Sequence, residues 1–469
     1  MFRAKEEGSR RLFLQQVSMG VLGTWGLGGL TIPELPQGTC DLPPHGAATP
    51  FRRDCRPIRP RQAADRLTPA EVTQLKAAYQ AMRALDTSDP SDPRGFIQQA
   101  NVHCHNCATS DPALQMHFSW RFFAWHRAYL YFHERILGKL VGNENFRLPY
   151  WGWDSTGFRT LPAPYVSPND ATNPLFNPTR VLTPGTSLPD ADVGPTVIND
   201  VLTLGSFDDF GGTATGSGTP EGTPHGSVHV DVGGDVGFFS SAARDPVFYQ
   251  HHATVDKLWS DWNKASPTHT NPTAAAFRDL TFTFFDENKA WRSITAAQVL
   301  DHENSLRYVY EPFRFWERFL CLIWRSFPTD WRVTRRIVIP RTNPGLLRAV
   351  SGDAPVRLQL RGLEVPRDRS TNYRIYANEA GAQADAGPKS PAYLGSVGVV
   401  LNDPANKNPL RGSLNVVLSL GPEVRATLAR GEAIQPYVVS RAGKEGEKRV
   451  IPLRATDVAV SVGEMDREK

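Results

Sequence analysis

Nine of the twelve histidines in this chain fall into two short windows, and no other feature constrains the fold as much. Five lie between His103 and His133 and four between His225 and His252. Burying imidazoles in such numbers is costly unless they share a purpose. His225 and His229 stand four apart, so on a helix both rings leave one face a turn apart. That spacing offers two nitrogens to one metal. A third donor lies in the run from Arg244 to His252, where Asp245-Pro246 opens a helix through about Trp262, aspartate as cap and proline in the first turn. Asp256 follows His252 by four and can orient the surroundings of that ring. The first window offers His103, His117 and His126. On an ideal helix His117 and His126 are about half a turn out of phase, so they converge only if His117 precedes the helix or sits at its start. Imidazole suits zinc, copper, iron and nickel alike, so two triads do not name the metal. The lack of a carboxylate donor makes a hard ion improbable, and three ligands per metal leave a position open for chemistry.

The rest of the sequence frames these windows. A chain of 469 residues exceeds one compact core, so two or more domains are expected. A net charge of +4 without a basic run of five gives no footing for nucleic acid. At the N-terminus, Ser9-Arg10-Arg11-Leu12-Phe13-Leu14 precedes a Gly-rich, moderately apolar stretch from Val17 to Leu30. Residues 1–31 resemble a twin-arginine signal, by which bacteria export proteins already folded around a metal; an arginine-capped helix is the alternative. The stretch is shorter than the roughly 20 residues a bilayer needs, so no membrane span is expected. Thr68-Pro69-Ala70-Glu71 is a capping box with proline at the first helical position, and Val72, Leu75, Tyr79 and Met82 follow at helical spacing. A second helix is expected over about 123–140, and Pro/Gly-rich loops over 158–222. Beyond about residue 335, alternating runs such as Val356, Leu358 and Leu360, with others near Tyr373–Tyr376, Leu414–Leu418 and Tyr437–Val439, predict an all-β sandwich over 336–469. Residues 311–335 form an aromatic linker, read as packing between domains with a lipid-interface helix as the alternative, and 32–310 form the histidine-bearing domain.

The run from His117 to Arg135 (HFSWRFFAWHRAYLYFHER) resembles the first copper motif of the tyrosinase and plant-type polyphenol oxidase family. The run from Arg244 to Trp259 (RDPVFYQHHATVDKLW) resembles the second, and the likeness extends through Pro224-His225-Gly226-Ser227-Val228-His229. It covers roughly residues 40–310 well and the β-rich tail more weakly. The resemblance implies a mainly α catalytic domain, a four-helix bundle around two copper ions, with dioxygen as co-substrate and small phenols as substrates. His103, His117 and His126 would hold copper A; His225, His229 and His252 would hold copper B. His252 is preferred over His251 because the family aspartate follows its ligand by four, as Asp256 does; His251 then stands behind the ligands. His133 reads as a packed histidine, and His105 has no family role.

Five cysteines make an odd set. By resemblance Cys107 forms a thioether with His117, holding that ring off the helix. Cys104 would bond Cys40 or Cys55, with the pairing open and Cys321 left over. Glu221 matches the residue that positions a water to deprotonate a monophenol. Gly226 stands where strongly hydroxylating members carry asparagine, which favours oxidation of o-diphenols to o-quinones over hydroxylation. Phe239 matches the aromatic gate over copper A, and Val230 would line the substrate path. The tail resembles the shielding domain of latent forms, removable at a basic run such as Arg332–Arg336. A hemocyanin-like oxygen carrier and a zinc hydrolase remain as alternatives.

Overall fold

Thr68 and Glu71 close the capping box that starts α1 (Pro69–Ser88), each side chain taking the other's backbone N–H at 3.3 and 2.8 Å. α2 (Phe96–Cys107), α3 (Arg121–Leu140), α4 (Ser227–Val232) and α5 (Val247–Ala265) complete the helices around the histidines. Asp245 serves α5 as expected, accepting the Val247 N–H at 2.9 Å, and it also pairs with Arg180 at 2.6 Å. In this computed structural model the described residues are 40–311, 322–328, 330–331, 337–338, 344–352, 354–403, 412–440 and 448–465. The export signal read at 1–31, the aromatic residues Phe313 to Phe319, the basic run Arg332–Arg336 and Cys321 lie outside them.

The loops expected over 158–222 carry short helical turns, the longest being Pro195–Leu202. A parallel pair, β1 (Arg59–Arg61) with β2 (Tyr308–Tyr310), ties the start of the helical part to its end. The C-terminal part holds two antiparallel four-stranded sheets. One has the order β6 (Tyr393–Val399), β5 (Thr371–Tyr376), β8 (Tyr437–Ser440), β9 (Arg449–Pro452). The other has the order β7 (Val416–Ser419), β4 (Val356–Arg361), β10 (Asp457–Met465), β3 (Leu322–Pro328). Thus part of the stretch read as a linker is an edge strand of the second sheet.

Among the described residues two large apolar cores result. One draws its residues from Phe51 to Tyr310 and is joined by Val417; the other runs from Ile337 to Val462. In β7 the side-chain alternation splits between them: Val416 and Leu418 enter the tail's core, Val417 the body's. Arg357, which alternates with Val356 and Leu358, is buried as well. Its guanidinium donates to the carbonyl oxygens of Thr203 at 2.9 Å and Asp200 at 3.2 Å, because the outer face of β4 docks on the helical body. Among the described residues no helix is long and apolar enough to cross a membrane.

Candidate metal centre

α2 carries His103 and, one turn on, Cys107, both fully buried. His126 sits on the second turn of α3. His117 lies before α3 in irregular chain, followed by Phe118 at φ 61°, so the half-turn mismatch is resolved by leaving the helix. Donor atoms of His103, Cys107, His117 and His126 lie within 4.8 Å of one another. A second buried group joins His225, in the turn Glu221–Gly226 that leads into α4, His229 on α4, and His251 and His252 on α5. The two groups face each other: His126 stacks on His252 with ring centroids 4.3 Å apart, and His117 lies 5.8 Å from His225.

The backbone fixes the tautomers. Nδ1 of His103 donates to the Phe239 carbonyl (3.0 Å), that of His126 to Phe122 (2.8 Å), that of His225 to Glu221 (2.8 Å) and that of His229 to Val236 (2.6 Å). A carbonyl can only accept, so each of these neutral rings keeps a lone pair on Nε2. Nε2 of His103, His126 and His225 is buried with no hydrogen-bond partner, as are both nitrogens of His117 and Nδ1 of His252. His229 Nε2 lies 3.2 Å from His252 Nε2. Burial, against the Phe122 hydrogen bond and helped by the His229 ring, lowers the pKa of His126 to about 3; burial takes His229 to about 4, and the other rings fall as well. Convergent, neutral, outward-fixed imidazoles with orphaned lone pairs fit metal ions and little else.

His251 differs from its neighbour. Its Nδ1 accepts the Trp153 indole N–H at 3.1 Å, which puts the proton of the neutral ring on Nε2. It stacks behind His225 at 5.3 Å. His252 is therefore the better donor, on grounds independent of Asp256.

Around the rings, Glu221 is buried, and its Oε1 accepts the Phe118 N–H at 2.5 Å while Oε2 has no partner. Burial lifts its carboxyl to about 8, the Phe118 N–H only partly offsetting it. Phe239 lies 4.2 Å from the His117 ring. It packs with Val400 of the tail, and the half-buried Val230 and Phe118 complete that cluster. A cavity beside His117, His225, Glu221, Gly226 and Phe239 is closed on its other side by Gly398, Val399, Val400 and Leu401. The tail thus covers the histidines directly, and the Phe239 N–H donates to the Leu401 carbonyl at 3.0 Å.

Comparison with known proteins places this arrangement. The chain matches the common central domain of tyrosinase over residues 93–193 and 164–265, and the polyphenol oxidase middle domain over 274–318. The crystal structure of Grenache (Vitis vinifera) polyphenol oxidase is 31% identical, with a TM-score of 0.54, covering 61% of this chain and 95% of that one. This chain belongs to the tyrosinase and polyphenol oxidase family. The structure of latent apple tyrosinase is 25% identical at a TM-score of 0.62 and covers 89% of this chain and 98% of its own, tail included. The apricot (Prunus armeniaca) latent polyphenol oxidase is 35% identical over 306 residues, 55% of this chain and 49% of that protein. The chain thus spans about half the length of that curated relative. The oxygen-carrier alternative is matched at the level of fold alone, by a functional unit of octopus hemocyanin at 17% identity and a TM-score of 0.53. The donor set here fits the two three-histidine copper sites of the polyphenol oxidase family.

Several expectations are refined within that family frame. Cys104 bonds Cys40, with Cα atoms 5.2 Å apart, leaving Cys55 exposed and Cys107 buried as free thiols. Asp256 makes its hydrogen bonds to groups other than the candidate ligands. It accepts from Arg127 at 2.5 Å and from the hydroxyls of Tyr308 and Tyr310 at 2.5 and 2.6 Å, and faces Arg61 at 3.5 Å. His133 hydrogen-bonds Tyr79 at 3.2 Å and stacks on Tyr249 at 3.6 Å, as a packed histidine should. His105 is half-buried and belongs to neither group. Sequence reasoning missed Trp153 and Phe248, the latter 4.7 Å from His103 and 4.2 Å from His252. Phe248 lies one turn before His252, a spacing that marks it in retrospect; Trp153 sits far off in a loop and carries no such signal.

Proposed function

We propose that this chain is a latent phenol oxidase that converts o-diphenols to o-quinones with dioxygen, the shielding tail closing the site until it is removed. The convergence of buried, neutral imidazoles in two facing groups carries this reading. In it His103, His117 and His126 hold copper A, and His225, His229 and His252 hold copper B. Bound there, the copper pair supplies two-electron chemistry with dioxygen. The chain's own part is to orient and to exclude. Cys107, whose Sγ lies within 4.8 Å of the His117 donor atom, is placed for a thioether that fixes a ring no helix holds. Phe239 packs over His117 and limits the angle at which a phenol ring enters, with Val230 beside it. Glu221 keeps Oε2 free to hold a water that takes a phenol proton, which hydroxylation of a monophenol needs and oxidation of a catechol does not. His251, tied to Trp153, backs the copper B rings.

The proposed route to its place of action is export by a bacterial twin-arginine pathway, supported by Ser9–Leu14 and the stretch after it. Arg10→Lys with Arg11→Lys should leave the protein in the cytoplasm of an expressing bacterium. Oxygen uptake by full-length and protease-treated protein on a monophenol and its catechol tests the activity. Treated protein should consume oxygen with the catechol and full-length protein should not. A treated, copper-loaded protein that binds oxygen without turnover would return the oxygen-carrier reading, and activity with zinc and without oxygen would return the hydrolase.

A further inference from the structure

Two glycines meet where the tail crosses the copper B turn. Gly226 has φ −61° and ψ −35°, ordinary right-handed helix. Those dihedrals do not call for glycine, which weakens a helix relative to alanine, and within its own turn a Cβ would meet only the Glu221 carbonyl oxygen, at 3.2 Å. A Cβ on Gly226 would lie 2.8 Å from the carbonyl oxygen of Gly398 and 3.2 Å from its carbonyl carbon. From the other side, a Cβ on Gly398 would meet the carbonyl carbon of Gly226 and the nitrogen of Ser227, both at 2.2 Å. Gly398 pairs with Asn372 inside the β6–β5 ladder and is absent from the glycines with positive φ, so its own strand does not require glycine either. The atoms met are backbone on both sides, and backbone cannot rotate aside as a side chain can. Polar contacts flank the pair: Thr223 Oγ1 donates to the Ser396 carbonyl at 2.9 Å, and Asn372 Nδ2 to Asp231 Oδ1 at 2.9 Å.

We propose that the Gly226–Gly398 contact is the latch of the latent state: a side chain at either position lifts β6 from the copper B turn and withdraws Val400 and Leu401 from the site without any cut in the chain. The inference rests on the shielding role given to the tail above. It also assigns Gly226 a reason of its own. The residue after His225 is set by how closely the tail must approach, so glycine there does not by itself mark a poorly hydroxylating enzyme.

Full-length Gly398→Ala and Gly226→Ala, compared with wild type by amide hydrogen exchange and by catechol turnover before protease treatment, test the latch. Gly226→Ala leaves the tail's sequence untouched, and Gly398→Ala leaves the body's untouched. Overpacking of this kind shifts a docking equilibrium by roughly tenfold to a hundredfold. Exchange at the Phe239 and Ser240 amides, which donate across to the tail's Leu401 and Asn402 carbonyls, should quicken by that factor in both variants, and untreated turnover should rise toward the protease-treated level. Exchange in the β5–β8 ladder should stay slow, showing that the tail remains folded. Wild-type protection at Phe239 and Ser240 in either variant overturns the latch. If both variants lose that protection while treated wild type stays inert on catechol, the latch stands and the phenol oxidase reading falls.

Discussion

Replacing Asp256 by asparagine should destabilise the body without emptying its metal sites. The carboxylate is 3% exposed and accepts from Arg127, Tyr308 and Tyr310, with Arg61 at 3.5 Å. Burial alone would raise its pKa, but the two guanidinium groups outweigh it and hold the carboxyl below its ordinary value. Arg61 and Arg127 are 0% and 1% exposed. Without the Asp256 charge Arg61 keeps Glu134 at 2.8 Å, while Arg127 is left with the carbonyls of Val299 and Leu300 at 3.3 and 3.4 Å. Stripping one partner from a buried ion pair costs about 3–5 kcal/mol. Asparagine keeps an acceptor, so the low end, about 3 kcal/mol, is expected for this site. In a body of this size that lowers Tm by roughly 6 °C. Tyr310→Phe alone removes a hydrogen bond to a charged group and should cost about 1.5–3 kcal/mol; added to Asp256→Asn it should cost less, since both act on one contact. Urea unfolding, thermal melts and copper per chain on the whole protein provide the readout. Stability within about 0.5 kcal/mol of wild type refutes the network argument, that being the scatter of neutral surface changes. Unchanged stability with lost copper would return Asp256 to the role its spacing from His252 suggests.

Other outcomes are equally checkable. Glu221→Gln should slow monophenol turnover more than catechol turnover on protease-treated enzyme, and equal losses would remove Glu221 from the proton-transfer step. Cys40→Ser opens a cross-link between residues 64 apart in sequence; the chain-entropy model then gives a loss of about 4 kcal/mol in urea unfolding. Burial lifts Asp86 from 3.8 to about 6, only partly offset by the Ile97 N–H that it caps and by Arg83. The folded state therefore binds the extra proton between those values, and the Asp86 contribution is largest below pH 4 and declines up to about pH 6. Asp86→Asn should accordingly gain on wild type by up to roughly 3 kcal/mol between pH 4 and 6.5, and a constant difference would refute the shift.

What could be read from the sequence was local. The capping box at Thr68, the proline-started helix at Pro246 and the i, i+4 pair His225 and His229 depend on neighbours within a turn or two, and the structure has them where expected. The mismatch between His117 and His126 was legible together with its remedy, His117 set before the helix, though the left-handed residue at Phe118 was not. Long-range features stayed hidden. Period-two alternation in 356–361 says which side chains share a face but not that the opposite face, with Arg357, is also covered. Asp256 follows its histidine as the family pattern has it, yet its partners Arg61 and Tyr310 come from segments 195 and 54 residues away. The side chain set against Phe239 could not be chosen from sequence, because Val400 reaches it through tertiary docking alone.

The split loyalty of β7 has a consequence for how long an opened enzyme lasts. Val417 belongs to the tail by sequence and to the body by packing, 8% exposed within the core that Phe51 to Tyr310 build. Burying a valine fully is worth about 1.5–3 kcal/mol, so detaching the tail removes a piece of the wall it closed. Opening and ageing are then one event. A molecule stored shut is at its most durable, and each one released begins to wear out as it starts to work.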